Sequence, residues 1–143
     1  MKVIDLNILI YAINKDAPDH QQARKWWENC LTEIEAIGLP WIVLLGFLRI
    51  TTNPRVFTNP LNPKDATMLI DDWLKQPSVE IISPTERHWE ILKKLILQLG
   101  TASNLTTDAH IAGLAIENGG VLFSTDNDFS RFKHLKWENP LQF

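Results

Sequence analysis

Four aspartates carry the chemistry this sequence could do: Asp5, Asp108, Asp126 and Asp128. Asp5 follows the apolar opening MKVI. Asp108 stands near the start, and Asp126 and Asp128 at the end, of the stretch TDAHIAGLAIENGGVLFSTDND at 107–128, which is otherwise largely apolar. Carboxylates gathered in a partly buried spot repel one another, so a close pair must hold a proton or share a cation. Oxygen-only donors suit a hard divalent ion, Mg2+ or Mn2+, bound by one or two carboxylates with water completing the shell. Such an ion can activate a water and neutralise a phosphoryl oxygen during in-line displacement. The pattern points to Asp5, Asp108 and Asp126 as catalytic metal ligands. Asp128 is close enough in sequence to join them as a second, water-bridging acid.

Each acid also has an ordinary reading. Asp5 could be the N-cap of a helix. Asp108 could be a first-turn acid complementing a helix dipole. Asp126 and Asp128 could simply form the turn TDND. The three main acids gain weight together, because the predicted elements bring them to one place.

Residues 2–4 read as a strand ending at Asp5, and 7–13 as a short helix. Ala23, Trp26, Trp27, Cys30, Leu31 and Ile34 recur at helical spacing, with Pro18 near the start. Residues 36–39 suggest a strand. Pro40 opens WIVLLGFLRI, apolar all round and so expected to be a central helix. TNPRVFTNPLN at 52–62 is a loop. Asn62-Pro63 then caps a helix that presents Ala66, Leu69, Ile70, Trp73 and Leu74 on one face. After a strand at 79–82, Ser83-Pro84-Thr85-Glu86 reads as a capping box. The helix it opens would turn Trp89, Leu92, Leu95, Ile96 and Leu99 inward. A helix at 104–118 ends at Gly119-Gly120, and a strand at 121–125 ends at Asp126. On the 104–118 helix, Asp108 shares the core-facing stripe with Ile111, Ala112 and Ala115, opposite His110, Gly113 and Glu117.

Short apolar strands separated by helices predict a three-layer α/β/α sandwich on a mainly parallel sheet. Ligands of such sheets sit beyond the carboxyl ends of the strands, which is where Asp5 and Asp126 fall. A length of 143 residues suits a single domain over 1–143. With 45% hydrophobic and 22% charged residues, disorder is excluded. A net charge of −3 argues against a broadly basic nucleic-acid surface. A local basic patch could still hold phosphate, and Arg49 and Arg55 are the cations to watch. One cysteine, Cys30, excludes an intrachain disulfide and a cysteine zinc site. Asp5 and Asn7 break the N-terminal apolar run, and no run reaches the ~20 residues of a membrane span. The expectation is a cytoplasmic protein. Trp26, Trp27, Trp73 and Trp89 read as core or dimer contacts. His110 reads as a surface histidine, and His20, His88 and His134 have no ligand spacing.

The motifs VIDLN, TDAHIAGLAIENG and STDNDF, with FLRITTNPRVF, SPTERHW and RFKHLKWENPL, resemble PIN-domain nucleases. More narrowly, the chain looks like the VapC toxins of bacterial toxin–antitoxin pairs. The resemblance implies a Mg2+-dependent endoribonuclease, with tRNA one candidate substrate class. It also implies a homodimer, and a cognate antitoxin whose tail enters the acidic cleft. Asn7 and Thr125 fall on polar positions that orient the acids or the metal's waters. One position departs from the pattern. The glutamate common on the family's third helix, in a run like E-F-L-R, is replaced in Gly46-Phe47-Leu48-Arg49. This leaves one metal or two open, and it makes a non-catalytic PIN-like RNA- or protein-binding module the alternative. Glycine inside a helix costs about 1 kcal/mol relative to alanine, so a packing reason is expected. A phosphoacceptor domain would need an acceptor aspartate after a middle strand, where 79–82 runs into Ser-Pro-Thr instead.

Overall fold

A computed structural model describes residues 1–142. Its strands are β1 (Lys2–Ile4), β2 (Ile37–Pro40), β3 (Val79–Ile82), β4 (Val121–Phe123) and β5 (Trp137–Glu138). Its helices are α1 (Leu6–Ile13), α2 (His20–Thr32), α3 (Trp41–Thr51), α4 (Pro63–Leu74), α5 (His88–Leu99) and α6 (Thr106–Glu117). The sheet order is β3-β2-β1-β4-β5, and every neighbouring pair is parallel. Parallel neighbours need long crossovers. Here each of the first three crossovers is a pair of helices. The chain steps from β1 to β2 to β3, then returns past β1 to β4. Helix α1 packs on α2 and α3, and α3 on α4, while α5 packs on α6. Right-handed crossovers place these two groups on opposite faces of the sheet, which gives the α/β/α sandwich. The strand order reverses between β1 and β4, and the crevice beyond their carboxyl ends is the natural ligand position.

The strands are apolar because both faces are covered: Val3, Ile4, Ile37, Leu39 and Leu122 are all fully buried. On the α1–α4 face, aromatic rings lock the helices together. Phe47 of α3 meets Trp73 of α4 edge-on at 4.9 Å, and Trp73 meets Trp27 of α2 at 5.6 Å. Such pairs add to the burial of their large apolar surfaces.

Several local expectations need correction. Helix α3 is not central all round: Val43, Leu44 and Phe47 are buried, but Trp41 and Leu45 are exposed. Its apolar outer face cannot be told from its inner one by hydrophobicity alone. Ile34 lies beyond the end of α2 and is exposed. No capping box forms at 83–86, because the Thr85 N–H and hydroxyl both turn to Glu117 on α6 and α5 begins at His88. With His88 and Leu95 buried, Trp89 lies about 100° further round the helix and is 63% exposed. Finally, β4 stops at Phe123, and a 3-10 turn at Ser103–Leu105 precedes α6.

Phe47 has no solvent exposure. Phe47→Ala should therefore cost about 3–5 kcal/mol. Urea unfolding should show this as a lower midpoint with an unchanged slope.

Candidate metal centre

Asp5 leaves β1 and becomes the N-cap of α1, where one carboxylate oxygen accepts from the Leu6 N–H at 2.8 Å. Its other oxygen accepts from the Ser124 hydroxyl at 2.7 Å. Ser124 leaves β4 as Asp5 leaves β1, because the parallel register pairs Ile4 with Phe123. The same hydroxyl oxygen accepts from the Asp126 N–H at 3.0 Å and from the Asn7 amide at 3.2 Å. The Asn7 side chain also donates to Asp5 at 3.4 Å and accepts from the Thr125 N–H at 3.3 Å. Asp126 in turn accepts from the Asp128 N–H at 2.9 Å and caps the short 3-10 helix Asn127–Arg131. The capping and turn roles of Asp5 and Asp126 thus coexist with membership of an acid cluster. Caps fix these carboxylates in place without neutralising them.

Asp108 reaches the cluster from the first turn of α6. One carboxylate oxygen each from Asp108, Asp126 and Asp128 lie within 4.8 Å of one another. Asp128 is the most exposed of the three, yet it stands with Asp108 and Asp126 rather than behind them. Asp5 lies outside that tightest trio but is close enough to act on it electrostatically. Burial first, then Asp126, Asp5 and Asp128, pushes the Asp108 carboxyl up to about 6. Burial also raises Asp5, with Asp126 adding to the rise, against the Ser124 hydroxyl and Leu6 amide that favour its charged form. Among the described residues none of these four acids takes part in an ion pair. An all-oxygen donor set with unneutralised charge fits a hard divalent cation.

Other expected residues fall elsewhere. Thr125 contributes its backbone N–H, and the buried hydroxyl that organises the site belongs to Ser124. Sequence reasoning passed over Ser124; its signal was its place beyond β4, matching that of Asp5 beyond β1. Arg49 and Arg55 are exposed, and neither makes an ion pair among the described residues. At Gly46 a Cβ would lie 2.6 Å from Leu6 Cδ2, so a larger residue there would push the end of the Leu6 side chain aside. Leu6 occupies the space at which a side chain on position 46 would start. His110 is not a plain surface histidine. Its Nδ1 lies 2.8 Å from His88 Nε2, and His88 Nδ1 lies 3.1 Å from Glu117 Oε2. A carboxylate can only accept, so His88 donates from Nδ1. A neutral His88 then accepts at Nε2 from the Nδ1–H of His110. Gly113 admits the His88 ring, since a Cβ there would sit 3.2 Å from its Cε1. The face of α6 expected to be polar and outward is thus the seam with α5.

The PIN domain family model matches residues 2–135. The chain belongs to the PIN-domain family. Over its length this PIN domain is similar to Ribonuclease VapC33 of Mycobacterium tuberculosis, 42% identical over 142 residues and 99% of each chain. It is similar also to Ribonuclease VapC37 of the same organism, 37% identical over 140 residues, 98% of this chain and 97% of the other. The fold matches that of VapBC2 from Rickettsia felis, solved bound to a DNA fragment from its promoter. The TM-score is 0.70 at 22% identity, over 96% of this chain and 97% of that one. It also matches Mycobacterium tuberculosis VapC20, described as a sarcin-ricin loop cleaving toxin. There the TM-score is 0.69 at 14% identity, covering 95% and 98% of the two chains.

The raised Asp108 sets a stability prediction. Its carboxyl ionises near 3.8 when unfolded and at about 6 in the native chain. The native state therefore binds the proton more tightly. That contribution is fully present below about pH 4 and lost as the pH rises through about 6. With no divalent ion added, Asp108→Asn should be more stable than the parent at pH 7.5. The gain should be of order 1 kcal/mol after allowing for solvent screening. At pH 4 thermal melts of the two should coincide.

Proposed function

We propose that this PIN domain, taken over residues 1–143, is a metal-dependent endoribonuclease and the toxin of a toxin–antitoxin pair acting in the cytoplasm. The observation that carries the reading is the unpaired acid cluster of Asp108, Asp126, Asp128 and the neighbouring Asp5 at the β1/β4 switch point. Whole-length similarity to proteins named VapC ribonucleases supports the reaction class. Among the described residues no helix is long and apolar enough to cross a membrane. The partners in this reading are an RNA substrate, with tRNA one class, a cognate antitoxin, and a second copy of the chain.

Asp108, Asp126 and Asp128, with Asp5 beside them, would hold Mg2+ or Mn2+. Such a cation, when bound, supplies a water of lowered pKa and neutralises charge on a phosphoryl oxygen. The chain's own part is to keep the acids charged and aimed. The Ser124 hydroxyl and the Leu6 amide favour the ionised form of Asp5. Asn7 ties the start of α1 to the segment after β4, so Asp5 and Asp126 cannot drift apart. At pH 7.5 Asp108 lies above its raised pKa and is available as a ligand. The replacement at Gly46 favours the non-catalytic binding module as a second reading, since it removes one acid that the family pattern supplies.

The test uses purified protein freed of any bound partner, incubated with total RNA with and without Mg2+ or Mn2+. Discrete metal-dependent fragments that disappear with Asp108→Asn are expected. Binding of RNA without cleavage by either metal, in folded protein, would favour the module instead. Ser124→Ala should slow cleavage by about 10–100-fold, the range for a group that orients a metal-holding carboxylate. Undiminished cleavage in that variant would remove Ser124 from the site.

A further inference from the structure

Next to the acids lies a hollow of about 380 Å³ between the start of α1 and the end of α3. Asp5 and Asn7 form its polar edge. The rest of its wall is Leu6, Ile10, Tyr11, Ile50 and Val56. Gly46 lies behind this wall, where a Cβ would stand 2.6 Å from Leu6 Cδ2 and push the end of that side chain aside. Tyr11 is held by its main chain: its carbonyl lies 2.9 Å from His20 Nδ1. Val56 is 57% exposed although it borders the hollow, so the wall is open to a ligand. The two wall residues contributed from α3 and its loop, Ile50 and Val56, directly follow the exposed cations Arg49 and Arg55.

The hollow shares Asp5 with the acid site and is otherwise lined by Asn7, apolar groups and one aromatic ring. It is flanked in sequence by two cations without ion-pair partners among the described residues. Aromatic and aliphatic walls bind a nucleobase face, and adjacent cations bind the backbone phosphates. We propose that this hollow receives one unstacked base of a single-stranded RNA segment, next to the phosphate positioned at the acids. A base stacked inside a helix cannot enter it, so a duplex of the same sequence should bind poorly. The proposal deepens the nuclease reading and rests on it for the scissile phosphate.

The test separates base recognition from cleavage. Fluorescent single-stranded RNA decamers, intact or with one abasic ribose moved through each position, are titrated against the Asp126→Asn protein with Mg2+. A duplex of the same sequence is the control. Binding should weaken about tenfold when the abasic site falls at one position, and the duplex should bind poorly. Adding Val56→Ala or Tyr11→Ala should flatten that single-position penalty to under about twofold, the loss of one stacked base. Val56 is exposed, so Val56→Ala keeps the measurement valid should Tyr11→Ala disturb α1. If every position is equally sensitive, or the penalty is unchanged in both variants, no base enters the hollow. If Val56→Ala spares RNA binding but abolishes capture of a protein partner, the hollow belongs to that partner and the proposal falls. Loss of metal-dependent cleavage in the parent protein, with the positional penalty intact, would remove the nuclease reading and leave the base site standing.

Discussion

A buried carboxylate that stays between two strands is the constraint on which the site depends. Asp5 is only 7% exposed, and its two oxygens are committed to the Leu6 amide and the Ser124 hydroxyl. An ionised carboxylate in that position would be costly without such donors. The donors exist because β1 and β4 are parallel neighbours in a register that ends both strands together. From that junction the remaining acids are placed in sequence: Ser124 takes the Asp126 amide, Asp126 takes the Asp128 amide, and α6 brings Asp108 from across the crevice. Strand order, register and site geometry are thus one arrangement.

The arrangement is held against its own electrostatics. Four acids converge with no cationic side chain paired to them among the described residues, and Asp108 records the tension in its raised pKa. A fold selected for stability alone would relieve it by moving one acid away or supplying a lysine. The surroundings are instead stiff and apolar. Leu6 packs into the space left by Gly46, and the rings of Phe47, Trp73 and Trp27 brace the helices behind α1. Rigid packing is what lets like charges stay close.

The opposite layer has its own polar fastening. Glu117, with a fully buried side chain, receives Thr85 and His88, and His88 meets His110. Burial and the neighbouring His88 ring hold His110 below the usual histidine range, against a smaller opposing pull from Glu117. Polar atoms sealed between two helices must find partners, and here they find one another. The fastening fixes α6 along its length, and α6 is the element that carries Asp108.

The sequence by itself determined the alternation of short apolar strands with helices, and with it the sheet type. It also determined the placement of Asp5 at the end of β1 and of Asp126 shortly beyond β4, since the apolar runs of MKVI and VLF stop ahead of them. Those features are local: they follow from hydrophobic period and from where polar residues interrupt it. Only the tertiary structure decided which polar side chains meet. Ser124 and Thr125 are equivalent as hydroxyls in sequence, and the β1/β4 register selects Ser124. His110, Gly113 and Glu117 look like a solvent face until α5 is laid on them through His88. Trp89 reads as a core or dimer contact, and is exposed, because hydrophobicity names a face without naming its partner. The neighbour of Gly46 was also decided by the tertiary structure: Leu6, forty residues earlier, holds its Cδ2 2.6 Å from where a Cβ would stand. In each case the deciding contact joins segments far apart in the chain, and helical or strand periodicity carries no information at that distance.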